Sequence, residues 1–157
     1  MLAREVGRLL RERGLTIAVA ESCTGGKLGD MLTSVPGSSD YFLGGVISYS
    51  NQAKMDLLGV RMGTLATKGA VSAETARQMA AGVRRALKSD VGVGITGIAG
   101  PTGGTPRKPV GLVYIAVSSN RGVYCTRNLF KGTRKQIKDQ AANRALEMTK
   151  RFLLRKH

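Results

Sequence analysis

The chain has 157 residues, 42% of them hydrophobic and 22% charged, with a formal net charge of +15. That balance excludes a disordered chain, and the length suits one domain, spanning 1–157, that buries a core without disulfides or a structural metal. Two cysteines, Cys23 and Cys125, give no disulfide framework and fit a reduced, cytoplasmic setting.

In chain order, the spacing of Leu2, Val6, Leu9 and Leu10 predicts a helix from about Leu2 to Arg13, ended by Gly14. Arg4, Arg8, Arg11 and Arg13 interrupt this stretch too often for a signal peptide. No run approaches the length of a membrane span. "LTIAVA" predicts a strand from Leu15 to Ala20, and a helix carrying Leu28, Met31 and Leu32 is expected from about Gly25. After the turn chemistry of "SVPGSS", a second strand is placed at Gly45 to Tyr49. Asn51 is expected to cap a short helix through Leu58, closed by Gly59. Ser72 caps the next, with Met79, Ala80, Val83 and Leu87 as its buried stripe. "VGVGITG" is a third strand, and a glycine-rich loop, "GIAGPTGGTPRKP", follows. "VGLVYIAVSS" and "VYCTRNLF" flank "NRG" as an antiparallel hairpin. The last helix starts after Gly132 with Thr133 as cap, and Ile137, Ala141, Ala145, Met148 and Phe152 form its inner face. Strands alternating with helices, then a hairpin, imply an α/β/α layered domain with a mixed, mostly parallel sheet.

Absences narrow the chemistry. The only histidine is the terminal His157, so a Ser-His-Asp triad and a Cys-His pair are not expected, and neither is a zinc site. The loop after the third strand lacks the GKS or GKT ending of a P-loop. Gly92, Gly94 and Gly97 spell G-x-G-x-x-G, but within and after a strand rather than opening a helix. From Arg121 to His157, eleven Lys or Arg face only Asp139 and Glu147. Nucleic acid, a solvated basic face and attraction of a small anionic substrate all account for that surplus. With few aromatics among these charges, nucleic acid is not expected as the main partner.

Position is more informative. Ser22, Tyr49 and Thr96 each fall at or just past the carboxyl end of a predicted strand, the edge where open α/β sheets bind ligands. Gly25 and Gly26, and the segment Gly97 to Gly104, offer backbone N–H groups for an oxyanion or phosphate. The plainer reading is that strand ends carry hydroxyls and glycines make turns. "ESCTGG" sets Ser22, Cys23 and Thr24 side by side as nucleophile candidates. Taken alone, Lys54 reads as a surface lysine. To act as a base near neutrality it must lose about 4 kcal/mol of preference for its charged form. One helix end supplies about 1 kcal/mol, so desolvation or neighbouring cations must supply the rest.

Three collinear stretches carry a resemblance: "AESCTGGKLGDMLTSVPGSSDYFLGGVISYSNQAKMDLLGV", "GAVSAETARQMAAGVR" and "TGIAGPTGGTPRKPVGLVYIAV", extending weakly into "FKGTRKQIKDQAANRAL". Together they resemble the C-terminal domain of the CinA family, the nicotinamide-nucleotide amidohydrolases. The resemblance implies a three-layer α/β/α sandwich with a five-stranded sheet. It also implies conversion of nicotinamide mononucleotide to nicotinate mononucleotide and ammonia in pyridine nucleotide salvage, with no metal and no dissociable cofactor. It makes Ser22 the nucleophile and Tyr49, Lys54 and Thr96 the other catalytic residues, Lys54 and Tyr49 removing the serine proton and Thr96 hydrogen-bonding nearby. Substrate binding is expected from Thr24, Gly25, Gly26, Gly97, Gly100, Gly103, Gly104 and Arg134, with the oxyanion held by N–H groups where the Gly25 helix starts. Cys23 is then a small filler, and Thr24 a cap for the following helix. Two positions depart from the pattern: Thr133 and Arg107 each stand where relatives carry an acid. Relatives with a separate N-terminal domain exist, and none is expected within this chain. The expected partner is a small nucleotide substrate, with no membrane and with a homo-oligomer, favouring a dimer. The alternatives are a non-catalytic nucleotide-binding module and a nucleic-acid-associated competence or DNA-damage protein.

Overall fold

A computed structural model describes residues 1–155; Lys156 and His157 lie outside the described residues. The elements in order are α1 (Leu2–Arg13), β1 (Ile17–Glu21), α2 (Lys27–Thr33), a 3-10 turn (Ser38–Asp40), β2 (Phe42–Ile47), α3 (Asn51–Leu58), α4 (Met62–Thr67), α5 (Ala73–Leu87), β3 (Val91–Gly97), β4 (Leu112–Ser119), β5 (Gly122–Leu129) and α6 (Arg134–Leu154). The five strands lie in the order β2-β1-β3-β4-β5. The first three are parallel, and the hairpin β4–β5 is added antiparallel at β3. The α/β/α architecture with a mixed sheet is therefore the one expected.

Period-two alternation sorts the strand residues between the two faces. Ile17 and Val19 of β1, and Val91, Val93 and Ile95 of β3, join one core with Leu10 of α1, Leu28 and Leu32 of α2, and Ile137 and Ala141 of α6. Ala18 and Ala20 face the other way, against Leu58, Met79 and Val83. The glycines of β3 explain how close that second layer comes. A Cβ on Gly94 would stand 2.6 Å from Ala76 O, so α5 rests directly on the strand backbone. Gly92 and Gly94 of the G-x-G-x-x-G text thus serve helix-on-sheet packing, whereas Gly97 lies against Leu112 and Val113 of β4.

Several boundaries move, each for a local reason. Leu15 closes α1, its N–H donating to Leu10 O, so β1 begins at Ile17 rather than Leu15. Gly25 and Gly26 have φ of 60° and 108°, outside the helical range, and α2 begins only at Lys27. β2 lies at Phe42–Ile47, upstream of the expected Gly45 to Tyr49. Ser50 rather than Asn51 caps α3, its side chain accepting from Ala53 N, which makes Lys54 the fourth helical residue. Helix α4 is a six-residue element the sequence pattern did not show. Leu87 and Phe152 are half-buried rather than core. Ser72, Gly59 and Thr133 cap as expected, Thr133 within a reciprocal capping box with Gln136. Among the described residues, no helix is long and apolar enough to cross a membrane.

Candidate active site

The ends of the three parallel strands are level. Glu21 pairs with Ile47 on one side and Ile95 on the other. Two further bonds extend the ladder: Ser22 N–H donates to Ile95 O at 3.0 Å, and Ser48 N–H to Glu21 O at 2.8 Å. Ser22, Ser48 and Thr96 therefore emerge side by side at one edge of the sheet. Alternation sends Glu21 toward α2 and the next residue, Ser22, toward the face where α3 packs.

Helix α3 delivers Lys54 to that point. Its Nζ lies 3.0 Å from Ser22 Oγ, 2.7 Å from Ser48 O and 3.2 Å from Tyr49 O. Lys54 is 1% exposed. No carboxylate pairs with it among the described residues, so burial penalises its charge and lowers its pKa below the usual lysine range. The geometry accommodates both the ammonium and the neutral amine. As an ammonium, Nζ donates to Ser22 Oγ and to both carbonyls; once neutral, it keeps two N–H bonds for the carbonyls of Ser48 and Tyr49 and turns a lone pair to the proton of Ser22. A lysine pattern read as a surface residue is thus a buried one, held by main-chain groups that sequence alone does not display.

The other expected site residues divide between two adjoining clefts. The first, about 320 Å³, is lined by Ser22, Cys23, Tyr49, Lys54, Thr96 and Arg134, with the loop glycines Gly97, Gly100 and Gly103. Gly104 does not line it. Thr96 donates its hydroxyl proton to Ala70 O at 2.8 Å, tying the segment before α5 to the end of β3. Tyr49 gives Lys54 its main-chain carbonyl, while its exposed phenol accepts from Arg134 Nη2 at 3.2 Å. Arg134 also donates to Gly100 O at 2.6 Å, so it spans the mouth of the cleft from α6. Cys23 is buried in the core, and burial pushes its thiol up to about 11, which leaves it an unreactive filler. Arg107 is exposed and lines neither cleft. The second cleft is lined by Thr24, Gly25 and Gly26 with residues of α2 and α6.

Two expectations fail at the start of α2. Thr24 does not cap it; the N-cap is Gly26, and the carboxylate of Glu21 takes that role from a distance. Glu21 Oε1 accepts from Gly26 N (3.2 Å) and Leu28 N (3.0 Å), and Oε2 from Gly29 N (2.9 Å). These N–H groups are consequently not free to hold an oxyanion. Sequence reading passed over Glu21, although an acid just ahead of a glycine-led helix start is a recognisable signal. Among the described residues, no group of His, Cys, Asp and Glu is placed to hold a metal ion.

Known proteins share this arrangement of elements. A family profile described as "CinA C-terminal domain" matches residues 1–153. A CinA-like protein of Cyanothece sp. is 55% identical over 156 residues, covering 98% of this chain and 37% of that protein. One from Thermosynechococcus vestitus is also 55% identical, over 98% of this chain and 38% of its own length. The chain thus spans little more than a third of these curated relatives. The crystal structure of competence/damage inducible protein CihA from Agrobacterium tumefaciens superposes with a TM-score of 0.94 at 41% identity, covering 98% of this chain and 94% of that one. That of competence damage-inducible protein A from Klebsiella pneumoniae gives 0.96 at 32% identity, over 99% and 97%. The chain belongs to the CinA C-terminal domain family.

Proposed function

We propose that the chain is an amidohydrolase that converts nicotinamide mononucleotide to nicotinate mononucleotide and ammonia, with Ser22 as nucleophile and Lys54 as base. The observation that carries this reading is the 3.0 Å approach of Ser22 Oγ to a buried lysine amine that has no carboxylate partner. Ser22 Oγ attacks the carboxamide carbon as its proton passes to Lys54 Nζ. The attack opens the carbonyl to a tetrahedral oxyanion within the Ser22 cleft. Collapse breaks the C–N bond, and the Lys54 ammonium returns its proton to the departing nitrogen, releasing ammonia. Water then attacks the Ser22 ester, giving its proton to the same amine; as the acyl C–O bond breaks, the Lys54 ammonium returns that proton to Ser22 Oγ, and the nicotinate product leaves. No metal or redox group enters these steps.

Thr96 and Tyr49 act around this pair rather than on the proton itself. Thr96 spends its proton on Ala70 O and can still accept a hydrogen bond from the substrate. Tyr49 holds the amine through its carbonyl and positions Arg134 through its phenol. Arg134, with no carboxylate partner among the described residues, is the cation that meets the nucleotide at the cleft mouth.

Incubating the purified chain with nicotinamide mononucleotide and following ammonia tests the reading. One ammonia and one nicotinate mononucleotide per substrate consumed are expected. Nucleotide binding without ammonia release would make the chain a binding module and remove the catalytic reading.

A further inference from the structure

A serine that attacks a carbonyl needs hydrogen-bond donors where the oxyanion forms. The main-chain N–H groups from Ser22 to Asp30 can be accounted for one by one. Ser22 N–H donates to Ile95 O in the sheet ladder, Gly25 N–H to Ser22 O and Lys27 N–H to Thr24 O. Those of Gly26, Leu28 and Gly29 go to the Glu21 carboxylate, and Asp30 N–H donates to Gly26 O. Among the described residues, the N–H groups of Cys23 and Thr24 are the two in this stretch that meet no acceptor. Both residues are buried, at 6% and 1% exposed. A buried main-chain donor left without an acceptor is rare in a folded protein. Of the two, Cys23 lines the Ser22 cleft, whereas Thr24 lines only the second cleft.

The turn after Ser22 also fixes where the Cys23 N–H points. Gly25 N–H closes it on Ser22 O at 3.1 Å, and neither Cys23 nor Thr24 has a positive φ, which makes it a type I turn. The Ser22–Cys23 peptide is trans, so its N–H and C=O lie on opposite sides. With the carbonyl turned inward to Gly25, the Cys23 N–H is turned outward. We infer that the Cys23 main-chain N–H is an oxyanion donor of the Ser22 cleft. It belongs to the residue that follows the nucleophile, so it travels with Ser22 Oγ and stays within reach of an oxygen on the carbon that Oγ attacks. The thiol takes no part. Lys54, its Nζ 3.0 Å from Ser22 Oγ, adds positive charge beside the same oxygen once it has taken the serine proton. The inference rests on the amidohydrolase reading, because an oxyanion arises only if Ser22 attacks a carbonyl.

The experiment compares Cys23→Pro with Cys23→Ala in steady-state turnover of nicotinamide mononucleotide. Proline suits the first central position of a type I turn and removes this one N–H, and Ser22, extended at the end of the ladder, can precede it. Alanine keeps the N–H. Relative to the alanine variant, the proline variant loses about 10²–10³-fold in kcat, the usual cost of one oxyanion donor. KM stays the same, as for a contact made only in the transition state. Equal kcat in the two variants overturns the inference. Amide NMR of the wild-type protein gives a second reading that does not depend on the proline variant folding. The probe is the mononucleotide analogue with a formyl group in place of the carboxamide. Ser22 Oγ bonds to the formyl carbon, the carbonyl π pair moves onto its oxygen, and the serine proton passes to Lys54 Nζ. The Cys23 amide proton then shifts downfield, and Ser22→Ala, which cannot add to the formyl carbon, loses that shift. An adduct that leaves the Cys23 amide unmoved overturns this inference while the amidohydrolase reading stands. No ammonia from the mononucleotide and no adduct with the analogue would remove that reading, and this inference with it.

Discussion

The two halves of the sheet differ in what their ends can do. β2, β1 and β3 run parallel, so three carboxyl ends open at one edge and bring Ser22, Ser48 and Thr96 level with one another. The hairpin half, β4 and β5, alternates direction and supplies none of the polar side chains of the Ser22 cleft. It covers the flank of β3 and packs Ile115 and Val117 into the core. Parallel strands converge functional groups without needing them near in sequence, whereas an antiparallel pair sends successive ends to opposite edges. Substitutions at the parallel edge should therefore act on chemistry, and those in the hairpin on stability alone.

The largest effect expected at the parallel edge is from Ser22→Ala. Ammonia release should fall by more than about 10⁴-fold while nucleotide affinity persists, as when a nucleophile is removed from a set of cooperating groups. Retained turnover in a steady-state assay would move the chemistry elsewhere. Lys54→Met should lower kcat by about 10²–10⁴-fold, the usual span for a positioned base, and erase the acid limb of the pH–rate profile. The same lysine makes a linkage prediction. Its folded pKa is lowered by burial, so the unfolded chain binds the extra proton over the interval between the folded value and the ordinary one near 10.4. Stability of wild type relative to Lys54→Met should rise with pH across that interval, as read by urea denaturation at a series of pH values.

Smaller effects test the supports. Glu21→Gln replaces a carboxylate that accepts three N–H bonds with an amide that can accept fewer, and should cost about 1–3 kcal/mol of unfolding free energy. An unchanged urea midpoint would deny Glu21 its role at the start of α2. Cys23→Ala should retain most activity and lose about 1 kcal/mol for a small core vacancy. Loss of turnover comparable to that of Ser22→Ala would make the thiol the nucleophile. Val123→Thr, on the exposed rim of the hairpin, should stay within about 0.5 kcal/mol of wild type. A change in its kcat would blur the distinction between the two halves.

Much of the framework was legible because its signals are local. Gly14 and Gly59 end helices with left-handed φ, Ser72 and Thr133 cap with their own hydroxyls, and the hairpin turns at "NRG". The sheet edge followed from that order, and it singled out Ser22 and Thr96. The rest depends on packing between distant segments. Lys54 belongs to a short helix with weak apolar patterning, so nothing in "NQAKMDLL" announces that its lysine is buried while Leu57 is exposed. The carbonyls of Ser48 and Tyr49 that hold it are invisible to residue type. The short α4, "MGTLAT", has no side-chain cap, no acid in its first turn and no base in its last, so its sequence carries no helix-boundary signal. The role given to Thr24 failed because a carboxylate already met the N–H groups it was expected to serve.

The account turns on the protonation of one amine. Measuring the titration of Lys54 directly, by NMR of its Nζ and Cε in the free protein, tests it beside the pH dependence of kcat/KM. The midpoint should lie well below the ordinary lysine range and coincide with the acid limb of activity. A Lys54 that titrates like a solvent-exposed lysine, with activity indifferent to its charge, would contradict the claim that this amine activates Ser22.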